Sequence, residues 1–199
     1  MNGIKLKISK TKNKLSAGSS KLFGNPDVWD GFEWPYVEEN GEKYDLTFMC
    51  QINCWEVSVF DEAELLPKTG ILYFFYDLDT MPEVTDSRAA RVIWHNGEIS
   101  ALHEMVLTDE DGNSLAFSEQ KIDFELAEAN EKLSHTLLGN MAESSECIKL
   151  LRIGSLETDD ADIRFKNDGE LCYYIEKSKL AIYDFSKVKV AQISDKEDV

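Results

Sequence analysis

The chain has 199 residues, 43% of them hydrophobic and 11% aromatic, with 21 basic and 38 acidic side chains for a formal charge of −17. That composition belongs to a folded globular protein, and so acidic a body repels nucleic-acid phosphates and anionic lipid. No 18-residue apolar run offers a membrane-spanning helix, and Lys5 and Lys7 interrupt the N-terminal apolar residues where a signal peptide needs continuity. A cytoplasmic location is therefore expected, where structural disulfides are uncommon.

In chain order, Ile4, Leu6 and Ile8 alternate with Lys5, Lys7 and Ser9, the period of a strand with one wet face. Gly24-Asn25-Pro26 and Trp34-Pro35 mark a tightly packed aromatic loop, and Asn40-Gly41 a hairpin turn. Leu46 to Asn53 reads as a strand, and Ile71 to Tyr76 as a strand buried on both faces. His95-Asn96-Gly97-Glu98 predicts a second hairpin between strands at 92–94 and 99–106. Phe124, Leu126, Ala127, Ala129 and Leu133 fall near helical spacing, so residues 119–134 are expected to form a connecting helix. Strands follow at Cys147–Ile153, near Ile163–Phe165, and at Leu171–Ile175, Leu180–Tyr183 and Val188–Ile193.

Several segments recur in one order. Lys21-Leu22-Phe23-Gly24-Asn25 returns as Thr136-Leu137-Leu138-Gly139-Asn140, and Met49-Cys50-Gln51-Ile52 as Leu150-Leu151-Arg152-Ile153. Gly70 to Phe75 returns as Gly169 to Tyr174, and Arg91 to Trp94 more weakly as Lys187 to Val190. Recurrence of this kind predicts a duplicated unit. The expectation is an α+β fold with mostly antiparallel sheets and a few short helices. It takes the form of one pseudo-twofold domain over 1–199, with repeats at 20–118 and 135–194.

The residues offer little catalytic chemistry. Cys50 and Cys54 are spaced C-x3-C, without the second tight pair of a zinc site, and Cys147 and Cys172 have no close neighbour. Cys50 and Cys172 fall where the other copy has Leu151 and Tyr73, so both read as core. His95, His103 and His135 lack any nucleophile-elbow or metallohydrolase signature. Asp109 to Asn113 resembles a calcium loop but has Gly112 at position four and Gln120 at position twelve, so it reads as a solvated turn. Gly24 and Gly139 open no phosphate loop and read as turns with positive φ. No metal or cofactor is expected.

Taken together, Gly24-Asn25-Pro26, Trp34-Pro35, Phe48-Met49-Cys50-Gln51-Ile52 and Leu66-Pro67-Lys68-Thr69-Gly70-Ile71-Leu72-Tyr73-Phe74-Phe75 resemble the YwqG-like proteins, a bacterial family (domain of unknown function 1963). His135 to Gly139, Leu150 to Ile153 and Gly169 to Tyr173 are similar to that family's C-terminal half, with Asn53 and Arg152 as departures from its pattern. The resemblance implies a duplicated α/β fold without established activity. Some members occur among toxin and immunity gene clusters.

Function is sought in what is not repeated. Asp27, Trp29, Asp30, Glu33 and Trp34 have no equivalent after Gly139, and an aromatic, acidic loop suits recognition of a basic protein. Core packing of both tryptophans is the competing reading. The first five lysines all lie within residues 1–14, so residues 15–199 hold −22 and would steer such a partner. The expected function is a non-catalytic acidic protein-binding module, of the immunity type if the partner is a basic toxin. The alternative is an enzyme or small-ligand-binding protein with its site in a cleft between the repeats.

Overall fold

A computed structural model gives the structure, describing residues 3–85, 88–127, 135–139 and 146–194. The first half runs β1 (Ile4–Lys10), β2 (Lys21–Leu22), β3 (Asp27–Val28), β4 (Tyr36–Glu39), β5 (Glu42–Asp45), β6 (Thr47–Asn53), α1 (Cys54–Val57), β7 (Ile71–Tyr76), β8 (Val84–Thr85), β9 (Ala90–His95) and β10 (His103–Glu104). The second runs β11 (Gln120–Leu126), β12 (His135–Gly139), β13 (Cys147–Gly154), β14 (Leu156–Glu157), β15 (Asp162–Ile163), β16 (Glu170–Glu176), α2 (Lys177–Leu180) and β17 (Lys189–Ile193).

Eleven strands form one sheet in the order β8-β17-β16-β13-β12-β1-β11-β2-β6-β7-β9. The sheet curls into a nearly closed barrel. Phe74 of β7 meets Tyr173 of β16 edge-on at 5.3 Å, and the Tyr173 hydroxyl donates to the Phe75 carbonyl at 3.3 Å. Gln192 of β17 donates to the Tyr76 hydroxyl at 3.2 Å.

The apolar run of β7 explains the layering. Leu72, Phe74 and Tyr76 point into the barrel core, while Ile71, Tyr73 and Phe75 join a second cluster outside it with Val28, Phe32, Leu46 and Phe48. Period-2 alternation thus feeds two cores from one strand. The Asn40-Gly41 turn forms as expected, both residues at positive φ (54° and 85°), and joins β4 to β5.

The α+β, internally duplicated, pseudo-twofold expectation is overturned. Among the described residues the two α-helices have four residues each and three 3₁₀ turns have three each, while the strands form one large antiparallel sheet and three two-stranded ones. The connecting helix over 119–134 is replaced at its start by β11, which pairs with β1 along its whole length. Gln120 and Ile122 turn inward while Lys121 and Glu125 stay wet, and Lys5 and Lys7 of β1 face Glu125 and Asp123 in register. Cross-strand charge and period-2 burial outweigh the approximate helical spacing. The remainder of that span, 128–134, lies outside the described residues.

Smaller corrections have local causes. The hairpin at His95-Asn96-Gly97-Glu98 does not form, because β10 pairs with β3 and residues Ile99–Ala101 make a 3₁₀ turn. Leu180 ends α2 and residues 181–183 form a turn, where a strand over Leu180–Tyr183 is expected. Gly24 takes positive φ (71°), but at the second Gly-Asn position Leu138 does so (51°) and Gly139 does not. Asn140 lies outside the described residues. No helix among the described residues is long and apolar enough to cross a membrane.

Candidate functional site

The loop between β2 and β4 is held from within by Asp27. Its Oδ2 accepts from the Gly18 amide (3.0 Å) and Gln51 Nε2 (2.8 Å), and lies 3.2 Å from Lys21 Nζ. Its amide donates to Gln51 Oε1 at 2.9 Å, and its carbonyl accepts from the Tyr73 hydroxyl at 2.6 Å. Glu119 Oε2 approaches Lys21 Nζ at 3.7 Å. With Oδ2 engaged three times over and only 4% of the residue exposed, this carboxylate is a buried anchor and not a contact surface for a partner.

The two tryptophans cap the outer cluster and are half-buried. Trp29 stacks on His95 with ring centroids 4.1 Å apart and meets Phe32 edge-on at 5.0 Å. Trp34 packs edge-on against Phe75 at 5.5 Å, and its Nε1 donates to the Leu46 carbonyl at 2.8 Å. Asp30 and Glu33 are exposed, and Asp30 Oδ1 lies 3.6 Å from His103 Nδ1. The five residues expected to act together therefore divide into one buried anchor, two packed aromatics and two solvent-facing acids.

The acidic surface continues beyond them. Glu38, Glu39, Glu42 and Asp45 on the β4–β5 hairpin are all exposed, with Lys43 the only cation between Asp30 and Asp45. Tyr36 and Tyr44 are exposed on the same hairpin.

At the base of this hairpin lies a cleft of about 450 Å³. Leu46, Phe48, Leu78, Met81, Leu107, Leu115 and Phe117 supply its apolar lining. Asp162, Ile163 and Arg164 of the β14–β15 hairpin and the residue after it complete the lining. Three carboxylates reach it, from Asp45, Asp79 and Asp162. Arg164, its one lining cation, is shared by Asp162 (2.5 Å), Glu157 (3.6 Å) and Asp168 (3.9 Å). Among the described residues no hydrogen bond or ion pair engages the carboxylates of Asp45 and Asp79. The lining is mostly apolar and carries more acidic than basic residues.

None of the histidines lines it. His95 lies under Trp29, and burial lowers its pKa. His135 is lowered to about 4, by burial first and by the charge of Arg152 second, and its Nδ1 accepts from the Gly154 amide at 3.3 Å. Burial pushes the Cys54 thiol up to about 12 and that of Cys50 higher still, so neither is a thiolate at neutral pH. Among the described residues no group of three or more His, Cys, Asp or Glu side chains could hold a metal ion.

Sequence reading singled out none of the cleft carboxylates. Their segments are remote in sequence and meet only when the sheet curls. The available signal is Leu107, Leu115 and Phe117, apolar residues in a turn-rich stretch, which need something to cover.

The profile of a family described as "Domain of unknown function (DUF1963)" matches residues 20–145, well over half of the chain. The chain belongs to the DUF1963 family. No curated protein matches it. The DUF1963 segment contains the Lys21–Asp27 anchor, the tryptophan loop and every cleft residue except Asp162, Ile163 and Arg164.

Proposed function

We propose that this DUF1963 chain is a non-catalytic, acidic protein-binding module whose partner is a basic protein. The observation that carries the reading is the exposed run of Asp30, Glu33, Glu38, Glu39, Glu42 and Asp45, interrupted within its own segment by Lys43 alone, with Arg88 and Arg91 along the groove beside Glu33 and Glu38, and mounted on a loop and hairpin pinned by Asp27 and Trp34. Pinning matters because a surface that is already ordered loses less entropy on association. Tyr36 and Tyr44 supply aromatic area beside the charges, and the net charge of −17 steers a cationic partner from a distance.

The motif order from Gly24-Asn25-Pro26 to Phe75 supports a YwqG-like protein of bacterial origin, and an immunity-type role follows if the basic partner is a toxin. Cys50, Cys54 and Cys172 form no disulfide, which supports a cytoplasmic location. The enzyme reading has less behind it: the cleft offers room for a ligand, but its lining brings together no nucleophile and general base.

The test is affinity capture from the native host with the wild-type chain and with Glu38→Lys/Glu39→Lys/Glu42→Lys. A basic protein retained by the first and lost by the second supports the reading. Equal retention by both, or none by either, defeats it.

A further inference from the structure

We propose that the cleft over Phe48 is a binding site for a small organic cation, with an aromatic or branched aliphatic body and one protonated amine or quaternary ammonium head. This goes beyond the protein-binding reading and does not depend on it.

Size comes first. A cleft of about 450 Å³ lies within the range of small-molecule sites, which are mostly apolar with a few placed polar groups. Its surfaces are held by the scaffold. Leu46 and Phe48 belong to the outer cluster backed by β7, and Phe117 is fixed by an edge-on contact with Phe23 at 5.3 Å and by its carbonyl accepting from the Gly24 amide at 3.0 Å. Leu115 is 60% exposed, apolar area that a ligand body would remove from water.

Charge then selects the ligand. Arg164 already shares three carboxylates, so an incoming anion would compete with Asp162, Glu157 and Asp168 for it. Among the described residues Asp45 and Asp79 have no such cation, both are exposed, and both line the cleft. An ammonium group there meets carboxylates that carry no ion pair among the described residues, and it breaks no existing one. Phe48, Phe117 and Trp34 line the same cleft, and aromatic faces favour a cation over a neutral group of the same shape.

The experiment titrates the full chain with phenethylamine, 2-phenylethanol and 3-phenylpropionate, following amide shifts by NMR, with ethylamine as a control for unspecific charge. Phenethylamine is expected to move the signals of Phe48, Leu115 and Phe117 and to bind at least tenfold tighter than 3-phenylpropionate, while ethylamine leaves those signals in place. Asp45→Asn/Asp79→Asn changes only exposed side chains and should bring phenethylamine down to the affinity of 2-phenylethanol. Ala116→Phe, with its fold checked by near-UV circular dichroism, should close the cleft to all three. The proposal is overturned if no aromatic probe moves these signals, if the carboxylate binds as well as the amine, or if the amine preference survives the double substitution.

Discussion

Lys21 Nζ lies 3.2 Å from Asp27 Oδ2, with side-chain exposures of only 3% and 5%. The pair joins β2 to the loop that carries both tryptophans, and Gln51 and Gly18 complete the coordination of the carboxylate. Removing one member strands the other charge away from water. Lys21→Met is therefore expected to lower unfolding free energy by about 3–5 kcal/mol, measured by urea denaturation. Lys21→Met/Asp27→Asn, which removes both charges, should recover a substantial part of that loss. An equal or larger loss in the double variant would show that the charge pair is not what Lys21 contributes.

Closure of the sheet rests on contacts between strands that are distant in sheet order. Phe74 reaches across the core to Tyr173, so Phe74→Ala leaves a cavity at the junction of β7 and β16 and is expected to cost about 3–5 kcal/mol. Tyr173→Phe removes only the hydroxyl bond to the Phe75 carbonyl and should cost about 1 kcal/mol. Denaturant midpoints at unchanged slope check both values.

His135 gives stability a specific pH dependence. Its folded pKa, about 4, lies below the unfolded value near 6.5, so the unfolded chain takes up the proton first. Its contribution is complete above about 6.5 and is lost as pH falls toward about 4. Wild type should lose on the order of 2–3 kcal/mol more across that window than His135→Gln. The readout is the difference between the two chains, because carboxylates titrate in both.

Thiol chemistry should follow burial. Cys50, Cys54 and Cys172 are buried with pKa values raised by desolvation, while Cys147 is half-buried. Iodoacetamide at pH 8 is expected to modify Cys147 first and the other three only in denaturant, as mass spectrometry of digests would show. Early modification of Cys50 would contradict the packing described for β6.

What could be read from sequence follows from how local the determining interactions are. The six apolar residues of β7 and the Asn40-Gly41 turn declare themselves within a few positions, and both form as expected. Residues 120–126 mislead because Phe124, Leu126 and Ala127 also sit near helical spacing. What decides their conformation is pairing with β1, more than a hundred residues away. Asp27 reads as a loop acid until Lys21 and Gln51 are folded around it. Asp30 and Glu33 stand out in the sequence because they flank the tryptophans, whereas nothing local links them to the exposed acids of the β4–β5 hairpin. A cleft between the two halves is an expectation of the sequence, but its lining is not legible there, because it is assembled from segments near residues 24, 48, 80, 116 and 163, which share no sequence pattern.

The most direct test of the protein-binding account is the affinity of the captured basic partner for the wild-type chain, measured by calorimetry across a salt series. Affinity should fall steadily as salt rises, since the interaction rests on exposed charge, and should drop at least tenfold at physiological salt in Glu38→Lys/Glu39→Lys/Glu42→Lys. An affinity indifferent to salt and to that charge reversal would contradict it.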